Sequence, residues 1–160
     1  MRITALEEYG LRCLLRVAQQ EEGEAIAAPD IAESEGLSLS YTQKILRVLS
    51  KGGLVDSRRG VQGGYFLAHP ASEVTVGDAI RVLGGIFEVE DICERHTGEL
   101  EQCANHCNCG IRPVWAHISR FVVATLDGIS LDVLLNDDTV VARHLAENMP
   151  TPQRSAAPLL

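Results

Sequence analysis

The segment GGLVDSRRGVQGGYFLAHP at residues 52–70 constrains the fold most. Upstream of it, apolar residues recur every three or four positions. Within it, two short strand-like runs, Leu54–Arg59 and Tyr65–Ala68, flank a glycine-rich loop at residues 60–64. This pattern predicts a β-hairpin with a loop longer than the tightest type, closed by Pro70. Gly52 and Gly53 mark where the preceding helix must stop.

Three helices precede the hairpin. Leu6, Tyr9, Cys13 and Val17 line one face of a helix over residues 5–20. Thr4 caps it, and Glu7 three residues on completes a capping box. A short second helix spans residues 29–35, with Pro29 at its start, Ile31 and Ala32 inward, and Gly36 just past its end. Ser38 then caps a third helix from Leu39 to Lys51. Tyr41, Ile45, Val48 and Leu49 form its apolar stripe, while Gln43, Lys44, Arg47 and Lys51 lie largely on other faces. Helix, helix, helix, hairpin is the order of a winged helix-turn-helix. In that arrangement the third helix enters the major groove and the hairpin tip reaches the backbone or minor groove. The same elements also build small α+β domains that touch no DNA.

The expected fold class is therefore mostly α with a small β-hairpin wing, followed by a long dimerisation helix. Thr75–Leu83 reads as a fourth helix, with Val76, Ala79, Ile80 and Leu83 on one face. Residues 88–110 are polar, acidic and without a sustained period, so they read as a loop. A loop of that length needs an explanation, and a bound inorganic centre would supply one. Residues 111–126 form the longest helix, with Ile111, Trp115, Ile118, Val122 and Leu126 in one stripe that Val114, Phe121 and Val123 widen. Pro113 is tolerated in its first turn. Such a face packs on its own domain, on a second copy, or on both; a two-fold DNA site favours a homodimer. Residues 129–135 give a last short helix. The segments are then 1–85 for DNA binding, 86–110 for the cysteine loop and 111–136 for dimerisation. The tail 148–160, with three prolines, is expected to be disordered.

The chain has 160 residues and a net charge of −8, which would discourage a nucleic-acid reading. The distribution reverses that inference. Residues 1–70 carry eight Lys/Arg and nine Asp/Glu, a net of −1; residues 71–160 carry six and thirteen, a net of −7. Residues 41–60 hold Lys44, Arg47, Lys51, Arg58 and Arg59 against Asp56 alone. Phosphates respond chiefly to that local field. No apolar run is long enough to span a bilayer, and Glu7 and Glu8 stand where a secretion signal needs an apolar stretch. The expected location is the cytoplasm, without membrane association.

Four of the five cysteines crowd into 17 positions, as Cys93-x9-Cys103-x3-Cys107-x1-Cys109 with His96 and His106 nearby. In a cytoplasmic protein that crowding reads as metal, cluster or redox chemistry before disulfides. Ferredoxin spacings are absent, as are paired C-x2-C knuckles and any C-x-x-C dithiol. An iron–sulfur cluster, zinc, metal-free redox thiols and inert cysteines all remain open on spacing. Cys13, alone on the apolar side of the first helix, reads as core. No phosphate-cradling or nucleophile-elbow motif appears, and no catalytic residue is assigned.

The stretches MRIT…YGLRCLLRVA, GLSLSYTQKILRVLSKGGLV, RRGVQGGYFLA and VGDAI, with the cysteines before PVW, resemble the Rrf-two family of bacterial regulators over residues 1–136. The resemblance implies a winged helix-turn-helix dimer on double-stranded operator DNA. Its readers would be Ser38, Ser40, Tyr41, Gln43, Lys44 and Arg47, with Arg58, Arg59, Gly60, Gly63 and Gly64 in the wing. Cluster-binding members carry three loop cysteines, the last two separated by five residues. That implies Cys93, Cys103 and Cys109 as ligands of a [2Fe–2S] or [4Fe–4S] cluster. The gap before Cys103 is longer than in a member whose fourth ligand is histidine, and Arg112 stands at that histidine's place. Glu8 from the partner subunit's first helix, Cys107 and His106 are the candidates for the fourth ligand. The implied function is a regulator, acting as a repressor, that senses iron–sulfur status, redox stress or nitric oxide. The alternatives are a thiol- or zinc-based sensor on the same scaffold, and a small iron–sulfur electron-transfer or carrier protein.

Overall fold

Local capping sets the first helix. In the computed structural model, which describes residues 3–21, 23–60, 63–85, 93–106 and 108–148, α1 runs Ala5–Ala18. The Thr4 hydroxyl accepts from the Glu7 amide at 3.3 Å, and the Glu7 carboxylate accepts from the Thr4 amide at 2.6 Å. The capping box satisfies two donors that the helix cannot bond itself. Helix α2 (Ala28–Glu35) starts with Pro29 in its first turn and closes on Gly36. The Leu37 amide returns to the Ala32 carbonyl at 2.9 Å, which ends the helix and opens the turn. Ser38 then caps α3 (Leu39–Lys51) by accepting from the Tyr41 amide.

Strands β1 (Val55–Arg58) and β2 (Gly64–Leu67) pair antiparallel, with Val55 opposite Leu67 and Arg58 opposite Gly64. One pairing has no counterpart in the sequence pattern. Ile26 exchanges two backbone hydrogen bonds with Tyr65, at 3.0 and 2.8 Å, and ties the hairpin to the segment before α2. A Cβ on Gly64 would lie 2.5 Å from the Ile26 carbonyl oxygen, so this approach needs glycine there. After the wing come α4 (Val76–Leu83), α5 (Arg112–Asp127), α6 (Leu131–Leu134) and α7 (Asp138–Asn148). Helix α7 has no counterpart in the sequence pattern either.

The core lies between α1, α2, α3 and α4. Cys13, Leu14, Ile31, Ile45, Leu46, Leu49, Val55 and Ala79 are fully buried in it. Burial pushes the Cys13 thiol up to about 11, so it stays protonated and inert, as the core reading expects. Leu131 of α6 joins the same cluster. The crossing from α4 to the last helices is stitched by backbone. The Val76 amide donates to Ile129 at 2.8 Å and the Leu131 amide to Val74 at 2.9 Å. Arg81 adds an ion pair with Asp127 at 2.6 Å and one with Asp78 at 3.2 Å.

Helix α5 spans 16 residues, roughly 24 Å. Its buried residue is Ser119, while Ile111, Val114, Trp115, Ile118 and Phe121 are exposed, Val114 by 53% and Trp115 by 40%. Of the predicted apolar stripe, Ile111, Trp115 and Ile118 are uncovered in the single chain, with Val114 and Phe121 beside them, while Val122, Val123 and Leu126 toward its end are half-buried. Among the described residues, no helix is long and apolar enough to cross a membrane. The predicted disordered tail lies, apart from Asn148, outside the described residues, as do Cys107 and wing residues 61–62.

Candidate nucleic-acid interface and cysteine segment

Helix α3 buries Thr42, Ile45, Leu46 and Leu49 against α1 and α2. That leaves Ser40, Lys44, Arg47 and Lys51 exposed on one face, at helical spacing, with Ser38 exposed at the cap. Tyr41 and Gln43 are half-buried at its edges. The Ser38 and Ser40 hydroxyls lie 3.3 Å apart at the start of α3, where the helix dipole favours an anion. Hydroxyls at such a place position a phosphate, and Gln43, Lys44 and Arg47 have the donors that read base edges.

Strand β1 of the wing packs against α3. Arg58 and Arg59 are both exposed, Arg58 at the end of β1 and Arg59 just after it. Gly60 has φ +120, a backbone conformation that other residues adopt only under strain. The Gly63 amide donates to the Gly60 carbonyl at 2.9 Å. A Cβ on Gly63 would lie 2.7 Å from the Arg58 carbonyl oxygen. Glycines at 60 and 63 leave no side chain to hold the backbone away from a phosphate. Gly64, by contrast, has an internal reason for being glycine, the contact with Ile26.

Sequence reading missed the group that holds α2. The Glu35 side chain, 6% exposed at the end of α2, accepts from Arg12 Nε at 2.6 Å and from Arg16 Nε. Arg12 also donates to the Glu35 carbonyl oxygen at 3.2 Å. Burial pushes the Glu35 carboxyl up, but the hydrogen bonds from Arg16 and Arg12 outweigh it and hold the group below the usual carboxylate range. No residue type in the sequence announces this contact; its partners lie 19 and 23 positions apart.

The cysteine segment is described from Cys93 to Cys109 except at Cys107. Cys93, Cys103 and Cys109 are unpaired thiols, each half-buried. The His106 amide bonds the Cys103 carbonyl at 3.0 Å and the Asn108 amide bonds the Asn105 carbonyl at 3.2 Å. Arg112, in the first turn of α5, donates to the His106 carbonyl at 3.0 Å. This half of the segment is thus folded into turns and tied to the helix. Among the described residues, no three His, Cys, Asp or Glu side chains come together as metal ligands. Glu8 is exposed in the first turn of α1.

A core-anchored helix with an exposed basic face, beside a glycine-rich wing bearing two arginines, defines a winged helix-turn-helix DNA-binding protein. The chain matches the Rrf2 family, described as an iron-dependent transcriptional regulator, over residues 3–137. It belongs to that family, and it is a DNA-binding transcriptional regulator. It is 33% identical over 157 residues to the HTH-type transcriptional regulator IscR of Pectobacterium atrosepticum, covering 98% of this chain and 92% of that one. Among solved structures it is similar to CymR, the global cysteine regulator of B. subtilis. That likeness has a TM-score of 0.69 and 29% identity, over 86% of this chain and 99% of that one. T. potens IscR is similar with a TM-score of 0.66 and 28% identity, over 94% of each chain.

Proposed function

We propose that this chain is a cytoplasmic homodimeric repressor whose hold on operator DNA is set by an iron–sulfur cluster on the cysteine segment. The observation that carries the reading is the donor set itself. Cys93, Cys103 and Cys109 are three unpaired, half-buried thiols on one segment tied to the start of α5. Thiolates of that kind suit iron–sulfur clusters. These three would hold the cluster. Glu8 of the partner subunit, Cys107 or His106 would complete the set. When bound, the group supplies chemistry that responds to iron–sulfur supply, oxidants or nitric oxide.

The chain's own residues supply the rest. The uncovered face of α5 is the surface a second copy would bury, because monomers rarely leave a contiguous apolar face in water. Two copies then present two α3 helices and two wings to half-sites about 34–36 Å apart. Ser38, Ser40 and Tyr41 position the backbone, Gln43, Lys44 and Arg47 read base edges, and Arg58 and Arg59 carry the wing. A metal-free thiol sensor on the same scaffold is the second reading. The likeness to CymR favours it, as does the separation of the three thiols in the single chain.

Purification without oxygen, an absorption spectrum, and assays of iron and acid-labile sulfide test the first reading. Matched iron and sulfide, lost in Cys93→Ala and Cys103→Ala proteins together with a change in DNA affinity, is the expected result. A colourless protein after anaerobic reconstitution would overturn the cluster and leave the thiol reading.

A further inference from the structure

Glu35 is an unusual residue to bury. It ends α2, and the turn Gly36–Ser38 that follows sets the angle at which α3 leaves. Its carboxylate takes one arginine on each oxygen, and its carbonyl takes a second hydrogen bond from Arg12. An apolar side chain would serve stability as well, since a buried ion pair gains little over well-packed hydrophobic groups. The pair adds direction. Arg12 and Arg16 lie four residues apart on α1, so together they fix both the position and the rotation of the end of α2.

A second contact reaches the far side of the same turn. Tyr9, one turn before Arg12 on α1, meets Tyr41 edge-on with ring centroids 6.1 Å apart. The Arg12 guanidinium lies 5.5 Å from the centroid of the Tyr9 ring, a cation–π distance. Arg12 therefore touches the residue before the turn directly and the first turn of α3 through Tyr9. Both flanks of the turn are referred to one helix.

We propose that Glu35, held by Arg12 and Arg16, is a positioning group that determines the sequence specificity of this regulator by fixing the angle of α3, without itself touching DNA. The inference rests on α3 being the helix that reads the groove. Base contacts tolerate little displacement, whereas phosphate attraction tolerates much. Loosening the anchor should therefore reduce discrimination between DNA sequences and spare general affinity.

The test uses the full-length protein purified without oxygen. One probe is a duplex enriched by that protein from a random pool, and the other is a scrambled duplex of equal length. Affinities for both are measured over a range of salt for the parent, Glu35→Gln, Arg16→Met and Lys44→Ala, with thermal melts alongside. The expected result for Glu35→Gln and Arg16→Met is about a tenfold fall in the affinity ratio, the value of one good base contact. Affinity for the scrambled duplex and the salt slope should stay at the parent's values. Unchanged ratios in both variants would overturn the proposal. So would equal losses on both duplexes with a salt slope lower by about one in Arg16→Met, which marks a phosphate contact. If Glu35→Gln does not melt cooperatively, Arg16→Met decides, because Arg12 still pairs Glu35 in it. If Lys44→Ala binds the enriched duplex as the parent does, the assignment of α3 has failed rather than the anchor.

Discussion

The two halves of this chain hold themselves together differently. Among the described residues, all the buried apolar side chains except Ile129 and Leu131 lie between Cys13 and Leu83. Helix α5 buries Ser119, and α7 buries no described residue. The first half builds the core, to which the second half adds Leu131. The second half leaves apolar residues of α5 exposed, and if a second copy covers them, as proposed, stability there depends on concentration and on that partner.

Leu46→Ala should show the largest effect. Leu46 is fully buried in the core, and truncation leaves a cavity. We expect a loss of about 2–5 kcal/mol in urea unfolding, a large part of the roughly 5–15 kcal/mol typical of a domain. Val114→Ala on α5, measured in dilute protein, should lie within about 0.5 kcal/mol of the parent. Similar losses in the two variants would erase the contrast between the halves.

Ile118→Asp places a charge in the middle of the exposed stripe of α5. It should convert the dimer to monomer in sedimentation velocity while the N-terminal half keeps its fold. Binding to a duplex with two half-sites should weaken by about a hundredfold or more, as the second contact ceases to be intramolecular. An unchanged sedimentation coefficient would place the interface elsewhere.

The seam between the halves should respond next. A Cβ on Gly77 would collide with Asp127 Oδ1, the carboxylate that pairs Arg81. Gly77→Ala should cost at most about 1 kcal/mol, because the colliding oxygen ends an exposed side chain that can turn away at the expense of its bond to Arg81. Asp127→Ala in the same protein should return part of that loss, because the colliding carboxylate is gone. Strict additivity of the two changes would mean that Gly77 and Asp127 do not meet.

The same contrast explains what was legible in the sequence. The Thr4–Glu7 capping box, the Gly36 stop, the Ser38 cap and the basic face of α3 are local signals, and each is found where its residues predict. Ile26 was not legible, because one residue bridging Tyr65 has no period to display. Helix α7 was not, because it fully buries no residue, and its half-buried Val141 and Leu145 make too short a stripe to display a period. The Glu35 anchor joins residues on separate helices and leaves no mark on either. At the cysteine segment the sequence supplies the donors, while the three thiols do not converge in the single chain. A ligand from a second copy, such as the candidate Glu8, leaves no spacing signal on the chain, and only the family resemblance names it.

The smallest effect concerns acid, and it too belongs to the N-terminal half. Burial pushes Glu35 up, but the bonds from Arg16 and Arg12 hold it below the ordinary carboxylate range. Asp78 is lowered first by the Thr75 hydroxyl, which donates to it at 2.7 Å, and further by Arg81. A carboxyl lowered in the folded state takes up its proton more readily when unfolded. Its contribution is therefore complete above the unfolded value, about 4 for these groups, and drains as pH falls through the folded value. Unfolding free energy should be insensitive to these two groups at neutral pH and decline on the acid side. Asp78→Asn should lower stability at pH 7 and make that acid decline shallower, since the variant has no proton to take up there. If the decline is as steep in Asp78→Asn as in the parent, the acid sensitivity arises from other carboxyls. A test of Glu35→Gln by the same titration then shows whether the α1–α2 anchor carries it alone.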